Sequence, residues 1–196
     1  MGMVFGKIRV ASPKFQVLNS TANYEIRHYP SLVVAEITYD PADLKGNKDG
    51  GFSILANYIG VFGKPQNTKP EKIDMTTPVL TKAAEKVDMT TPVLTKGNGE
   101  KVTMQFTLPE KYKKAEEAPE PVDERVVIKE EGEKKYGVVR FKGMATTEVV
   151  AEKTDKLKKD LEKDGFKVSG EHVLARYNPP WTLPPFRINE VMIPVE

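Results

Sequence analysis

The sequence predicts an α+β fold, about eight strands in an antiparallel sheet or barrel that carries two helices. Two observations lead there. The 196-residue chain repeats one order of elements twice, strand, strand, helix, strand, strand. Between the two runs lies a stretch at 113–123, rich in Glu, Ala and Pro, that reads as a solvated connector. In the first run, residues 24–29 and 32–39 have strand character, 51–62 are helical, and a Met-Thr-Thr-Pro-Val segment precedes a strand at 102–108. In the second run, 125–130 and 136–142 are strands, 147–164 is a helix, and 172–177 and 190–195 are strands. The expected organisation is one domain over 1–196, with halves at about 16–110 and 124–196.

The two helices differ. Val150, Thr154, Leu157 and Leu161 form one narrow apolar stripe, and Gly165 supplies the stop, so this is a surface helix packed on a sheet. The first helix has Phe52, Leu55, Ala56, Ile59 and Phe62 on one face and Ile54, Tyr58 and Val61 on another. No Lys, Arg, Asp or Glu occurs from Gly50 to Gly63. A helix apolar nearly all round must bury both sides. One side packs on the sheet, and the other needs a loop, a partner or a ligand.

A 12-residue segment, Glu71 to Lys82, recurs almost unchanged from Glu85 to Lys96, with a period of 14. Two copies make a local duplication rather than a solenoid. Only one can fill a given strand position. The Asn98-Gly99 turn after the second copy favours that copy as the strand, with the first in an extended excursion; the opposite placement stays open, because the first copy lies closer to the preceding helix.

Composition excludes several functions. Lys+Arg 30 against Asp+Glu 28 leaves a net charge of +2, no broad field for steering toward nucleic acid. Without cysteine there is no thiolate chemistry, iron–sulfur cluster or covalent haem link. No apolar run approaches the ~20 residues of a membrane span. The start, Met1-Gly2-Met3-Val4-Phe5-Gly6, has Gly6 where myristoylation favours Ser or Thr, and lacks the pattern of a signal peptide. The expectation is a cytoplasmic protein without membrane insertion. No nucleophile elbow, phosphate loop or paired catalytic carboxylate stands out, so no enzyme activity is expected. Of two histidines, His28 shares a strand face with Tyr24 and Ile26, whereas His172 lies on the more polar face of its strand.

The loop from Asn178 to Arg187 holds four prolines and the only Trp. Proline limits backbone freedom, so the loop can present Trp181, Leu183 and Phe186 at low entropic cost. Beside the apolar helix it would form one wall of a flat apolar pocket.

These pieces together resemble the SOUL haem-binding family. The resemblance rests on Tyr24-Glu25-Ile26-Arg27-His28-Tyr29, Ala56-Asn57-Tyr58-Ile59-Gly60, the doubled Met-Thr-Thr-Pro-Val, Tyr177-Asn178-Pro179-Pro180 and Asn189-Glu190-Val191. It is closest to cytosolic plant members. It implies a distorted eight-stranded antiparallel β-barrel with two helices, built from two pseudo-symmetric halves. It also implies non-covalent binding of haem or metal-free protoporphyrin between the first helix and the C-terminal loop, as a carrier or buffer. Phe52, Leu55, Ala56, Ile59, Phe62, Trp181, Leu183 and Phe186 would line that pocket, with Lys64 and Arg187 near the propionates. The resemblance makes His28 a candidate axial iron ligand. The alternative is a protein–protein interaction module using the same helix and loop.

Overall fold

Strict alternation along the strands separates the two faces of one curled antiparallel sheet. The structure is a computed structural model that describes residues 11–44, 49–83, 101–179 and 181–196. Its strands are β1 (Gln16–Ser20), β2 (Glu25–Tyr29), β3 (Leu32–Tyr39), β4 (Val79–Ala83), β5 (Val102–Thr107), β6 (Val126–Glu131), β7 (Lys134–Lys142), β8 (Val173–Arg176) and β9 (Ile188–Pro194). Helix α1 (Gly50–Ile59) falls between β3 and β4, and α2 (Thr147–Lys163) between β7 and β8. The order across the sheet is β1-β2-β7-β9-β8-β4-β5-β3-β6. This is an α+β half-barrel of nine strands rather than the expected eight. The ninth, β1, is exposed throughout and joins through backbone pairing with β2.

The internal repeat is visible in the pairing. Within the first half β3, β5 and β4 pair in that order, and in the second β7, β9 and β8 do the same. β4 and β8 join the two sets. The leading strands are exchanged, since β6 pairs with β3 and β2 with β7.

Both helices cover one face. α1 packs on β3 and β5 through Phe52, Leu55, Ala56 and Ile59 against Ala35, Ile37, Met104 and Phe106. α2 buries Val150, Thr154, Leu157 and Leu161, the four stripe residues, against β7 and β9. Its close approach needs Gly137, where a Cβ would stand 2.7 Å from the Leu161 side chain. The second face of α1 is covered by the chain itself. Tyr58 is 1% exposed, its hydroxyl donates to the Pro119 carbonyl at 2.8 Å, and Ile73, Tyr112 and Ala118 complete the cover. The connector therefore contributes to the core instead of being wholly solvated.

The duplication resolves against the expectation. Val79 and Leu80 of the first copy lie in β4, between β5 and β8. Upstream, buried Asn67 receives the Glu71 N–H and donates to the carbonyls of Tyr58 and Glu71. That bracket ties the first copy to the end of α1, and the second copy has Thr81 at the equivalent place. The second copy, the Asn98-Gly99 turn, Met1–Gly6, Gly46–Lys48 and Pro180 lie outside the described residues.

The concave face is more polar. Arg27 Nη1 meets Glu190 Oε2 at 2.9 Å across β7, and Tyr177 donates to the same carboxylate at 2.7 Å. Further along, Glu131 is held by Lys134, by Gln105 at 2.9 Å and by Lys129 at 3.5 Å. Burial pushes the Glu131 pKa up, but the Lys134 hydrogen bond, the Lys82 charge and Gln105 outweigh it and bring it down to about 2. A depressed carboxylate stabilises the fold above its ordinary range and loses that contribution as pH falls. Glu131→Gln should thus be less stable than wild type at pH 7, by on the order of 2 kcal/mol after allowance for partial exposure. Urea titrations should show this gap closing between about pH 4.5 and pH 2. A gap independent of pH would assign the effect to packing.

Candidate functional site

The start of α1 and the end of β8 are tied together, and this places the proline-rich loop. Arg176 Nη1 bonds Asp49 Oδ1 at 2.6 Å, just before the first turn of α1. The chain leaving β8 then runs into the loop. Its base is fixed by Tyr177 N–H to the Ile188 carbonyl at 3.1 Å and by Ile188 N–H to Asn178 Oδ1 at 2.8 Å. Within it, Thr182 N–H bonds the Pro179 carbonyl at 3.0 Å, and Arg187 Nε donates to the Thr182 carbonyl at 2.7 Å. Thr182 is buried while Trp181 and Leu183 on either side are exposed. A 3-10 turn at Pro184–Phe186 closes the loop and holds Phe186 outward.

Three aromatic rings meet where this loop reaches α1. Phe52 packs edge-on against Phe106 of the core at 5.5 Å. Its ring also lies 6.3 Å from Trp181 and 6.5 Å from Phe62, both edge-on. Phe62 follows the left-handed Gly60, which ends α1 at φ 83° and packs so tightly on Pro65 that a Cβ would come within 2.7 Å. Trp181 is 49% exposed and Phe62 54%, while Phe52 between them is 7% exposed. The result is an exposed aromatic patch with a buried foundation.

The expected site residues thus divide. Phe52, Phe62 and Trp181 come together, and Leu183 and Phe186 stand exposed on the same loop. Leu55, Ala56 and Ile59 are sealed in the core beneath α1, so they support the patch without facing it. Lys64 is exposed just beyond Phe62, and Arg187 braces the loop.

His28 is not brought there. It lies on β2, on the sheet face that α2 covers, with Nε2 3.4 Å from Glu133. α1 packs over β3 and β5, at the other end of the strand order. Burial holds His172 below the ordinary histidine pKa. Among the described residues no group of three His, Asp or Glu is placed to hold a metal ion.

One cavity was not anticipated from the sequence. A narrow, partly open cleft with about 50 Å³ of free space lies on the concave face between Tyr29, Val34, Leu80, Tyr136 and Met192. Lys82, Gln105 and Glu131 also line it. Gln105 and Lys82 sit at alternate strand positions that read as ordinary solvent-facing residues until the sheet curls over them.

The fold is a helix-covered antiparallel half-barrel, with an aromatic patch between its first helix and the proline-rich loop. The chain belongs to the SOUL heme-binding protein family, whose model matches residues 10–194. No curated protein matches it. Among solved structures, the EcmrR C-terminal domain is similar at TM-score 0.60 and 12% identity, over 93% of this chain and 98% of that one. A hydrolase from Listeria innocua is similar at TM-score 0.56 and 11% identity, over 91% and 94%. An uncharacterized conserved protein from Listeria innocua gives TM-score 0.55 and 12% identity, over 95% and 93%. At such identities the likeness concerns the fold alone.

Proposed function

We propose that the protein binds haem and related tetrapyrroles reversibly on the patch formed by Phe52, Phe62 and Trp181, as a carrier or buffer without catalytic turnover. The observation that carries this reading is the pair of exposed aromatic rings flanking a buried third, on a chain of a haem-binding family. A flat apolar macrocycle matches these residues, because its attraction to them is non-directional burial of area. Lys64, exposed beyond Phe62, is a cation available to a propionate. Enclosure by apolar groups treats haem and metal-free protoporphyrin alike, so iron ligation by His28 has no part in the reading.

The test is a titration with each pigment, followed by Soret absorbance and by fluorescence of the single tryptophan, Trp181. Saturable Soret shifts and quenching are expected for both pigments, with affinities within about tenfold of each other, since the same apolar area is buried. His28→Ala should leave Soret position and affinity unchanged. A haem titration without saturation would remove the proposal, and a weakened, shifted spectrum in His28→Ala would move the site to β2.

The same exposed rings favour one second reading, a contact with another protein or a second copy of this chain. Size-exclusion chromatography distinguishes the two. Self-association that haem leaves untouched would favour the contact surface.

A further inference from the structure

We infer that the concave face of the sheet holds a second binding site, for an apolar molecule bearing a single carboxylate, anchored by Lys82. The site is independent of the tetrapyrrole reading, because the sheet itself separates it from α1. Val33, Ala35 and Ile37 of β3 face the helix, whereas Leu32 and Val34 line the cleft. Its walls are Tyr29, Leu32, Val34, Leu80, Tyr136 and Met192, which suit an alkyl chain or an aromatic ring.

The polar end of the cleft decides the charge of the ligand. Glu36 already takes Lys129 at 2.7 Å and the Gln105 amide. Glu131 already takes Lys134, Gln105 and Lys129. Lys82 is different. Its one ion-pair partner among the described residues is Glu131 at 3.7 Å, beyond hydrogen-bond reach, although its side chain is only 25% exposed. Among the described residues three ammonium groups thus face two carboxylates, and the one left without a hydrogen bond there points into the cleft. A largely buried cation in this state gains most from an anionic acceptor. A lipophilic cation would find both carboxylates occupied.

Strand geometry keeps this group in place. Lys82 pairs with Thr103 of β5 on one side and Val173 of β8 on the other, so its Cα is fixed in the middle of the sheet. Leu80, two residues earlier, puts an apolar side chain on the same face, next to the charge.

The probe is 11-(dansylamino)undecanoic acid, whose fluorescence rises when its ring leaves water. Saturable binding is expected, with the methyl ester of the probe at least about tenfold weaker because it lacks the charge-assisted bond. Lys82→Met should weaken the acid by a similar factor and leave the ester unchanged, while Lys82→Arg retains binding. Trp181→Ala should have no effect on the acid, which separates this site from the aromatic patch. Equal affinity for acid and ester on the wild-type protein would overturn the inference, as would unchanged binding in Lys82→Met. So would absence of saturation, or displacement of the probe by dodecyltrimethylammonium more strongly than by dodecanoate. The acid–ester comparison needs no variant, so a folding defect in Lys82→Met would not blunt the test.

Discussion

Glu190→Ala is expected to lower the unfolding free energy by about 3 kcal/mol, the low end for breaking a buried ion pair. The carboxylate is 1% exposed and accepts from Arg27 and Tyr177, so its loss leaves a buried guanidinium and a half-buried phenol without it. Glu25, which also bonds Arg27 at 2.7 Å, limits the damage but is partly exposed. In a chain of this length the melting temperature should fall by roughly 6–12 °C. The double variant Arg27→Met/Glu190→Leu separates charge from packing. It removes both ions and fills their space, so it should lie closer to wild type than Glu190→Ala does. Thermal melts of wild type, Glu190→Ala, the double variant and its component singles Arg27→Met and Glu190→Leu decide this. A double variant as unstable as the sum of its single changes would show that the pair acts through packing with its neighbours, not as mutual compensation of charge.

The second large effect concerns the aromatic patch. If a porphyrin covers ~60 Å² of each exposed ring, losing a ring costs ~1.5 kcal/mol, or about tenfold in affinity. Phe62→Ala/Trp181→Ala should therefore weaken haem binding by roughly a hundredfold, read from the Soret band because the tryptophan is gone. Both side chains are about half exposed, so the fold should stay intact by circular dichroism. Unchanged affinity in the double variant would exclude the patch. Leu55→Ala is unsuitable for this purpose, since Leu55 is fully buried and its truncation would report on the core.

Much of this fold was legible because its signals are periodic. The four-residue stripe of α2 is buried as the spacing required, and seven of the nine strands lie where the residue pattern puts them. β1 was not legible for the same reason. Gln16–Ser20 buries no side chain, so it has no alternation to read, and only the backbone of β2 makes it a strand. The duplication was misassigned because the two copies are nearly identical from Glu71 onward. The deciding residue, Asn67, lies outside the repeat and acts through carbonyls that no pattern announces.

The site was legible in part. An uncharged helix and a proline-stiffened loop pointed to each other, and Phe52, Phe62 and Trp181 do meet. Which helix residues face outward was not readable, because Leu55, Ala56 and Ile59 share the periodicity of Phe52 and differ only in what covers them. The cleft was hidden altogether. Its lining comes from β2, β3, β4, β5, β6, β7 and β9, which only the curl of the sheet brings together.

The exchanged leading strands have a consequence for synthesis of the chain. When β5 has left the ribosome, β3 still lacks β6 and β2 still lacks β7. The core beneath α1 is also unfinished, since Ala118 and Val126 belong to it. At ~5–20 residues per second the nascent first half waits for seconds with an open apolar layer and unpaired edges. That interval, more than the finished protein, is where a chaperone would find something to hold.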